Sequence, residues 1–234
     1  MQSIIPGVYT FTGMLVGRVY CIEDADGLTI IDTSVPPSAK GILNQLIAAG
    51  RQPTDVKRIL ITHAHPDHIG GLPALKAATG AQVITHELEK PVTQGETTVP
   101  TPPKESLSGI ARLMVPPPTL PKGTPVDRTV VEGDVLTEVM GGLHVLHTPG
   151  HAPGHVTFWH PQKRIAFIGD VIMRLAGFRL PIAAFTVDMA ENRRSIARVA
   201  SLDANVVCFG HGQPLTQNTA ATIRAFAAKH SSPA

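Results

Sequence analysis

The chain has 234 residues, of which 43% are hydrophobic, and 20 Lys and Arg against 18 Asp and Glu give a formal net charge of +2. This length permits one large domain with a sizeable core, and the lack of any run of Lys or Arg argues against a nucleic-acid partner. No apolar stretch approaches the ~20 residues of a membrane-spanning helix. The first residues also lack the basic and long apolar segments of a signal peptide. We therefore expect a cytoplasmic protein with a small-molecule substrate, no nucleic acid and no membrane partner, which could form a homodimer.

Strands and helices alternate in two rounds along the chain. The first round predicts strands at 8–11, 19–23, 28–31, 57–62 and 82–85, with helices at 36–49 and 72–78. The second predicts strands at 128–131, 135–139, 143–147, 155–160, 164–168 and 205–209, with helices at about 188–200 and 216–229. The second-round helix at 188 has Asp188 at a good N-cap position. Two rounds of this kind predict an α/β fold in which two sheets pack together with helices outside.

Two stretches interrupt this alternation. The segment 91–125 contains nine prolines around a short amphipathic turn and is predicted to form a separate flap on one domain that covers 1–234. The segment 172–186 is apolar with interspersed arginines. We expect these two segments to shape the mouth of a substrate pocket, unless they simply complete the core. The predicted pocket residues are Leu107, Met114, Phe178, Arg174 and Arg179, and the arginines would contact a substrate carboxylate.

The run His63-Ala64-His65-Pro66-Asp67-His68 follows a predicted strand and carries the strongest functional signal. His63 and His65 are two residues apart on extended backbone, so they point the same way and can bind one ion. Asp67 and His68 follow Pro66, which turns the chain toward a neighbouring point. Without metal, each buried imidazole or carboxylate would cost roughly 1–3 kcal/mol unless it found a partner. The run therefore indicates a metal site, because zinc prefers imidazole nitrogen and carboxylate oxygen.

Three further candidates each lie beside a glycine at a predicted strand end. His151 and His211 can complete the ligands of two ions, and the two oxygens of Asp170 could bridge them. His86 also lies at a strand end, but a surface position at the start of a helix is the favoured interpretation. The remaining histidines follow no ligand pattern.

With these motifs the chain resembles the metallo-β-lactamase-fold hydrolase superfamily over essentially its whole length. The matching motifs are Asp32 in Ile-Ile-Asp-Thr, the run 63–68, His151 in Thr-Pro-Gly-His-Ala-Pro-Gly-His, Asp170 in Ile-Gly-Asp and His211 in Gly-His-Gly. The resemblance implies a four-layer αββα sandwich of two mixed sheets flanked by helices, with the site at one rim. It also implies that His63, His65 and His151 hold one metal, that Asp67, His68 and His211 hold the second, and that Asp170 bridges. Asp32 and His155 resemble residues that orient ligands rather than bind metal.

The resemblance implies a binuclear metal-dependent hydrolase. Two divalent ions, with zinc favoured and iron or manganese as alternatives, would ionise a shared water at neutral pH. The resulting hydroxide would attack an ester, lactone or thioester, and Asp67 would pass a proton to the leaving group.

Differences between this sequence and the patterns of particular branches of the superfamily narrow the range of expected substrates. Asp170 argues against membership of the antibiotic-hydrolysing branch, and His65 argues against the flavodiiron branch. Neither Tyr9 nor Tyr20 matches the active-site tyrosine of acyl-homoserine lactonases. Glyoxalase II enzymes share the ligand motifs, but only 23 residues follow His211 here, so their glutathione-binding helical region is not expected.

Three other functions stay open. A mononuclear iron dioxygenase that acts on persulfides would use part of the same ligand set, and it would contain one iron rather than two zinc ions. A phosphodiesterase or organophosphate hydrolase could use the same two ions for in-line displacement at phosphorus. A non-catalytic metal-stabilised binding protein is disfavoured, because structural zinc sites are usually closed by four ligands.

Overall fold

A computed structural model describes residues 1–14 and 16–230. Two main β-sheets pack face to face, and helices cover both outer faces. This confirms the predicted α/β sandwich with the layer order αββα. None of the helices in the described ranges is both long enough and apolar enough to span a bilayer.

The first sheet has seven strands that are neighbours in chain order. They are β1 (Gln2–Ile5), β2 (Val8–Thr10), β3 (Tyr20–Asp24), β4 (Gly27–Ile31), β5 (Val56–Leu60), β6 (Gln82–His86) and β7 (Arg128–Val130). Strands β1 to β4 pair antiparallel, whereas β4 to β7 pair parallel. The carboxyl ends of β4, β5 and β6 therefore lie at the same edge of the sheet.

The second sheet and a separate hairpin follow in the chain. The strands are β8 (Val135–Leu136), β9 (Leu143–His147), β10 (Val156–His160), β11 (Ile165–Phe167), the hairpin strands β12 (Met173–Arg174) and β13 (Phe178–Arg179), and β14 (Val206–Cys208). The sheet order is β14-β11-β10-β9-β8. Strands β9 and β11 are both antiparallel to β10, and β14 is parallel to β11. Three strands of this sheet thus also end at one edge.

Seven α-helices connect and cover the strands. They are α1 (Ser38–Ala48), α2 (Pro66–Ile69), α3 (Leu72–Thr79), α4 (Lys90–Thr93), α5 (Ile110–Leu113), α6 (Met189–Ser201) and α7 (Thr219–His230), within the residues that the structure describes. Short 3-10 helices occupy Pro53–Asp55, Glu87–Glu89, Lys104–Ser106 and Ala183–Phe185. As predicted, Asp188 caps α6, where its Oδ1 accepts a hydrogen bond from the Glu191 N–H at 2.9 Å.

Alternation along the strands divides the core into three apolar layers. In β11, Ile165 and Phe167 face the first sheet, whereas Ala166 faces α6 and α7. In the first sheet, Ile31 points inward and Ile30 packs under α1 and α3. Two opposite faces of one strand can both be apolar only where both are covered, and the helices provide that cover. Cys21 and Cys208 are buried free thiols in this core.

The sequence patterns missed the shortest and least regular elements. Strand β1, helix α2 and the hairpin β12–β13 were not predicted, because two to four residues carry too little periodicity to be recognised. The predicted longer elements are present, and most of their ends differ by one to three residues from those observed.

One buried hydrogen bond joins the two sheets next to the rim. The Tyr20 hydroxyl on β3 donates to the Phe209 carbonyl oxygen at 2.6 Å, just beyond β14. Burial raises the pKa of Tyr20, so the hydroxyl stays neutral and keeps its proton for this bond.

We expect Tyr20→Phe to lower the free energy of unfolding by about 1–3 kcal/mol, because it leaves the buried Phe209 carbonyl without its donor. For a chain of this size the corresponding fall in Tm is about 2–10 °C. Tyr9→Phe is the matched control, since Tyr9 donates to Glu23 in an exposed hydrogen bond. Equal thermal denaturation midpoints for the two variants would contradict the proposed role of Tyr20.

Candidate metal centre

The loops that follow the strands of both sheets meet at one rim of the sandwich. Residues 62–68 follow β5, and the loops after β9, β11 and β14 carry His151, Asp170 and His211. A hydrogen bond from the Val156 N–H to the Thr62 carbonyl oxygen, 2.9 Å long, joins the loops from the two sheets. The structure therefore brings all seven residues predicted as metal ligands to one place.

The first group contains three buried imidazoles. One nitrogen from each of His63, His65 and His151 lies within 4.8 Å of the others, close enough to surround one cation. The His63 and His65 ring centroids are 4.6 Å apart, and those of His65 and His151 are 4.5 Å apart. This group matches the first predicted ligand set.

The second group lies beside the first and includes carboxylates. Asp67, His68 and His211 place one ligand atom each within 4.8 Å of one another. Asp170 lies between the groups: its Oδ2 is 3.1 Å from His211 Nε2 and 3.5 Å from His151 Nε2, and its Oδ1 is 3.5 Å from His68 Nε2. That position suits a bridging ligand, although the assignment of these side chains as ligands stays a prediction.

The buried carboxylate of Asp32 orients two of the imidazoles. His68 Nδ1 lies 2.8 Å from Asp32 Oδ2, so its N–H donates to the carboxylate and Nε2 turns toward the site. The Thr62 hydroxyl also donates to Asp32 Oδ2, and therefore accepts from His63 Nδ1 at 3.1 Å. Imidazoles that ligate metals commonly donate their second N–H in this way. This contact fits the predicted role of Asp32.

A threonine that the sequence did not indicate orients His151. The Thr186 hydroxyl donates to the Ile182 carbonyl oxygen at 3.0 Å, so it accepts from His151 Nδ1 at 3.1 Å. Each oriented ring then turns its Nε2 toward the site. The atoms at the site that are buried without a hydrogen-bond partner among the described residues are Nε2 of His63, His68 and His151 and Oδ1 of Asp170. Unsatisfied buried polar atoms are costly, and divalent cations bound between these atoms would satisfy them. The donor set therefore fits metal.

The electrostatics separate the two groups. Burial lowers the pKa values of His63 and His151, and that of His65 to about 4, so these rings are neutral at pH 7 and their lone pairs are available. Burial acts in the same direction on His68 and His211, but the adjacent carboxylates outweigh it; they raise the pKa of His68, and that of His211 to about 9. The carboxylates thus hold protons on these two imidazoles, whereas the imidazoles of the first group are neutral.

His155 supports Asp170 without facing the site. Its Nε2 accepts the Asp170 backbone N–H at 3.0 Å, and its Nδ1 lies 3.0 Å from the Thr148 hydroxyl. Burial lowers the pKa of His155 to about 3, which keeps the ring neutral and able to accept that N–H. This contact fits the orienting role predicted for His155, which stays a prediction.

Gly210, next to His211, lies so close to the side chain of Asp170 that only glycine fits there. A Cβ atom at position 210 would overlap Oδ1 of Asp170 and lie 2.8 Å from His68 Cε1. The Gly-His pair in the sequence therefore reflects the packing of two loops around the Asp170 carboxylate.

Glu89 is a site residue that the sequence did not reveal. It lies in the 3-10 helix after β6 and is 2% exposed. Its Oε2 accepts from the Ala64 N–H at 2.8 Å, and its Oε1 accepts from the Gly154 N–H at 2.6 Å. One carboxylate thus joins the loop of His63 and His65 to the loop of His151. No motif marks a glutamate for this task.

His86 is buried, so the favoured interpretation as a surface residue was wrong. Its Nδ1 accepts from the Leu88 N–H and caps the 3-10 helix, and its ring stacks on His147 with centroids 4.6 Å apart. The other part of that interpretation, a position at the start of a helix, agrees with the structure.

A cavity of about 470 Å³ opens directly onto the two groups. Val99, Pro100, Thr101, Pro116, Pro117 and Thr119 of the proline-rich segment line it, together with residues of the hairpin and of the 3-10 helix at Ala183–Phe185. The predicted flap thus forms part of the pocket wall. The Val99 N–H donates to the Thr119 carbonyl oxygen at 2.9 Å, which pairs the two arms of the flap.

The five residues predicted to line the pocket, Leu107, Met114, Phe178, Arg174 and Arg179, are not among the described residues that form its wall, so this prediction was wrong. Leu107 and Met114 lie toward the exposed tip of the flap, beyond the paired arms. Side chains alternate along a strand, so Met173 and Leu175 face the cavity, whereas Arg174 points away from it.

Each of the other three residues has another partner. Arg174 donates to the Gln213 and Pro214 carbonyl oxygens, Arg179 donates to the Leu175 carbonyl oxygen, and Phe178 packs in the outer core with its ring centroid 5.9 Å from that of Phe209.

Known proteins resemble the chain over most of its length. The family model described as Metallo-beta-lactamase superfamily matches residues 12–211. The probable metallo-hydrolase YybB of Bacillus subtilis (strain 168) is 28% identical over 205 residues, which cover 86% of this chain and 83% of that protein. A hydroxyacylglutathione hydrolase of Methylobacterium nodulans is 33% identical over 183 residues, which cover 77% of this chain but only 56% of that relative. Among solved structures, the subclass B3 metallo-beta-lactamase BJP-1 of Bradyrhizobium japonicum gives a TM-score of 0.71 at 25% identity, covering 98% of this chain and 89% of that one.

We expect Glu89→Gln to weaken the connection between the two ligand loops. The amide keeps one acceptor, but its NH2 group faces a backbone N–H, so one buried donor loses its partner at a cost of about 1–3 kcal/mol. Thermal denaturation should show a lower Tm, and zinc titration should show weaker binding. Glu87→Gln, an exposed residue of the same 3-10 helix, is the matched control. Zinc affinities that are equal in both variants would show that Glu89 does not position the ligands.

Proposed function

Because the chain belongs to the Metallo-beta-lactamase superfamily, we propose that it is a hydrolase that binds two divalent cations, with zinc favoured. The bond cleaved is an ester, lactone or thioester bond. The metallo-hydrolase and hydroxyacylglutathione hydrolase relatives support hydrolysis as the general reaction.

The observation that carries this proposal is the set of unpartnered ligand atoms at the rim. Three Nε2 atoms and one carboxylate oxygen are buried and point into the same space, and a carboxylate lies between two groups that are each compact enough for one ion. The cavity opens onto this space, so a substrate could reach it. A structural metal site would be closed by protein ligands and would need no such opening.

When bound, a pair of divalent cations lowers the pKa of a water molecule toward neutrality and polarises a carbonyl oxygen. Hydrolysis forms a bond between the water oxygen and the acyl carbon and breaks the bond from that carbon to oxygen or sulfur. One proton of the water must reach the leaving group.

We assign the transfer of that proton to Asp67. Its side chain is 28% exposed and lines the cavity, whereas that of Asp170 is 4% exposed. Burial acts to raise the pKa of Asp67, but His68 and His211 outweigh it and hold the pKa below its usual range. The carboxylate is therefore ionised at neutral pH, and its ion pair with His211 Nε2, 3.1 Å long, keeps it at the site. Asp32 and His155 hold the ligand loops and do not touch the substrate.

Asp170→Ala tests the paired site. Removal of the carboxylate that lies between both groups should reduce bound metal from about two ions per chain to about one, and should lower turnover about 100-fold or more. Elemental analysis of purified protein and initial rates on a panel of esters, lactones, thioesters and phosphodiesters provide the measurement. Asp203→Ala is the control, because Asp203 forms exposed ion pairs with Arg164 and Arg224.

Several outcomes would overturn the proposal. Full activity with two metals in Asp170→Ala would contradict the bridging role of Asp170. One iron per chain together with oxygen consumption on persulfides would identify an oxygenase instead. Hydrolysis confined to phosphodiesters would move the reaction from carbon to phosphorus.

A further inference from the structure

The walls of the cavity are apolar above a polar floor. The floor consists of the ligand residues His65, Asp67, His151, Asp170 and His211. The apolar wall residues are Val16, Val35, Pro66, Val99, Pro100, Pro116, Pro117, Met173, Leu175, Ile182 and Phe185, and the two remaining ones are threonines. Away from the floor, a substrate in this cavity therefore contacts mostly hydrocarbon.

No Lys or Arg is found among the described residues that line the cavity. The nearby Arg174 donates to the Gln213 and Pro214 carbonyl oxygens, and its guanidinium lies 5.6 Å from the centre of the Phe178 ring. Arg179 donates to the Leu175 carbonyl oxygen. Away from the floor, a carboxylate on the substrate would lose its hydration without gaining a Lys or Arg partner, which is unfavourable.

The mouth of the cavity remains apolar and in contact with water. Leu175, Ile182 and Phe185 line the cavity and are 46%, 45% and 38% exposed. Three large apolar side chains around one opening indicate a surface that is covered during function. Because the same side chains continue into the cavity, the substrate itself is the occupant that would cover them.

We propose that the site selects uncharged substrates with an extended apolar acyl group. This inference rests on the proposed hydrolysis and names its substrate class. The acyl chain lies along the wall formed by Val99, Met173 and Leu175, and its carbonyl group reaches the floor beside Asp67. Thioesters of charged thiols such as glutathione, and acyl groups that end in a carboxylate, are poor substrates.

A matched panel of thioesters tests this selectivity. N-acetylcysteamine is an uncharged thiol, and its acetyl, hexanoyl and succinyl thioesters differ only in the acyl group, while hexanoyl-glutathione changes only the leaving group. We expect kcat/KM to rise about tenfold or more from acetyl to hexanoyl, since each buried methylene adds to binding. The succinyl and glutathione thioesters should be about tenfold or more poorer than the neutral hexanoyl substrate.

A single charge in the wall should invert this preference. Leu175→Lys places an ammonium group at the mouth, where partial exposure lets it stay hydrated. It should lower kcat/KM for the hexanoyl substrate about tenfold and raise it for the succinyl substrate. Leu113→Lys is the control, because Leu113 is 85% exposed on α5 and does not line the cavity. Equal selectivity in wild type, Leu175→Lys and Leu113→Lys would overturn the inference.

Failure of the inference and failure of the proposed function give different results. Turnover with no chain-length preference, or with preference for charged thioesters, refutes the substrate class but leaves the hydrolase. If protein that binds two metals cleaves none of the substrates, calorimetric titration with N-butylhexanamide tests whether the cavity binds an uncharged apolar acyl group. Binding that is lost in Leu175→Lys but kept in Leu113→Lys supports the substrate class without hydrolysis, and no binding to wild type refutes it.

Discussion

The carboxylate of Asp32 is the contact on which the geometry of the candidate metal centre depends. It is 2% exposed and accepts from the Thr62 backbone N–H, the Thr62 hydroxyl and the His68 ring. A buried carboxylate is tolerable only when donors surround it, and here each donor also fixes a ligand: Thr62 orients His63, and His68 is held directly. Asp32 adopts a φ of 59°, an uncommon value for a non-glycine residue. Strain of this kind persists where the surrounding structure over-determines it, and three hydrogen bonds do so here.

The sheets supply the rest of the arrangement through strand direction. Strands β4, β5 and β6 run parallel, so Asp32, His63 and Glu89 follow three neighbouring strands at one edge. Strands β9, β11 and β14 end at the facing edge of the second sheet and deliver the remaining ligands. Glu89 and Tyr20 then connect the two halves, one through two backbone N–H groups and the other through the Phe209 carbonyl oxygen. Hydrogen bonds between loops from both sheets thus hold the site together.

The parts of the fold and of the candidate site that could be predicted are those encoded by residues close together in the sequence. The run 63–68 places four predicted ligands in six residues, and glycines beside His151, Asp170 and His211 mark the remaining loops. The seven residues that meet at the rim could therefore all be identified from the sequence as candidate ligands. Strand and helix periodicity likewise predicted both sheets and their covering helices. Glu89 could not be predicted, because its two partners are 25 and 65 residues away and become neighbours only in the folded chain. Thr186 was missed for the same reason, since it is 35 residues from His151.

The prediction of the residues that line the pocket was wrong for a different reason. It depended on the direction in which side chains point, not on the distance along the chain between partners. The sequence correctly indicated that the proline-rich segment and residues 172–186 surround the cavity, but it gave no register for backbone without regular hydrogen bonding. A shift of one residue exchanges the two faces of a strand. Arg174 therefore points outward, whereas its neighbours Met173 and Leu175 line the cavity. The consequence is chemical: with arginines in the wall the pocket would suit anions, whereas with methionine and leucine it suits hydrocarbon. Candidate ligands that share a short motif can be recognised in the sequence, whereas the side chains that a substrate meets depend on which residue of a two-residue strand faces inward.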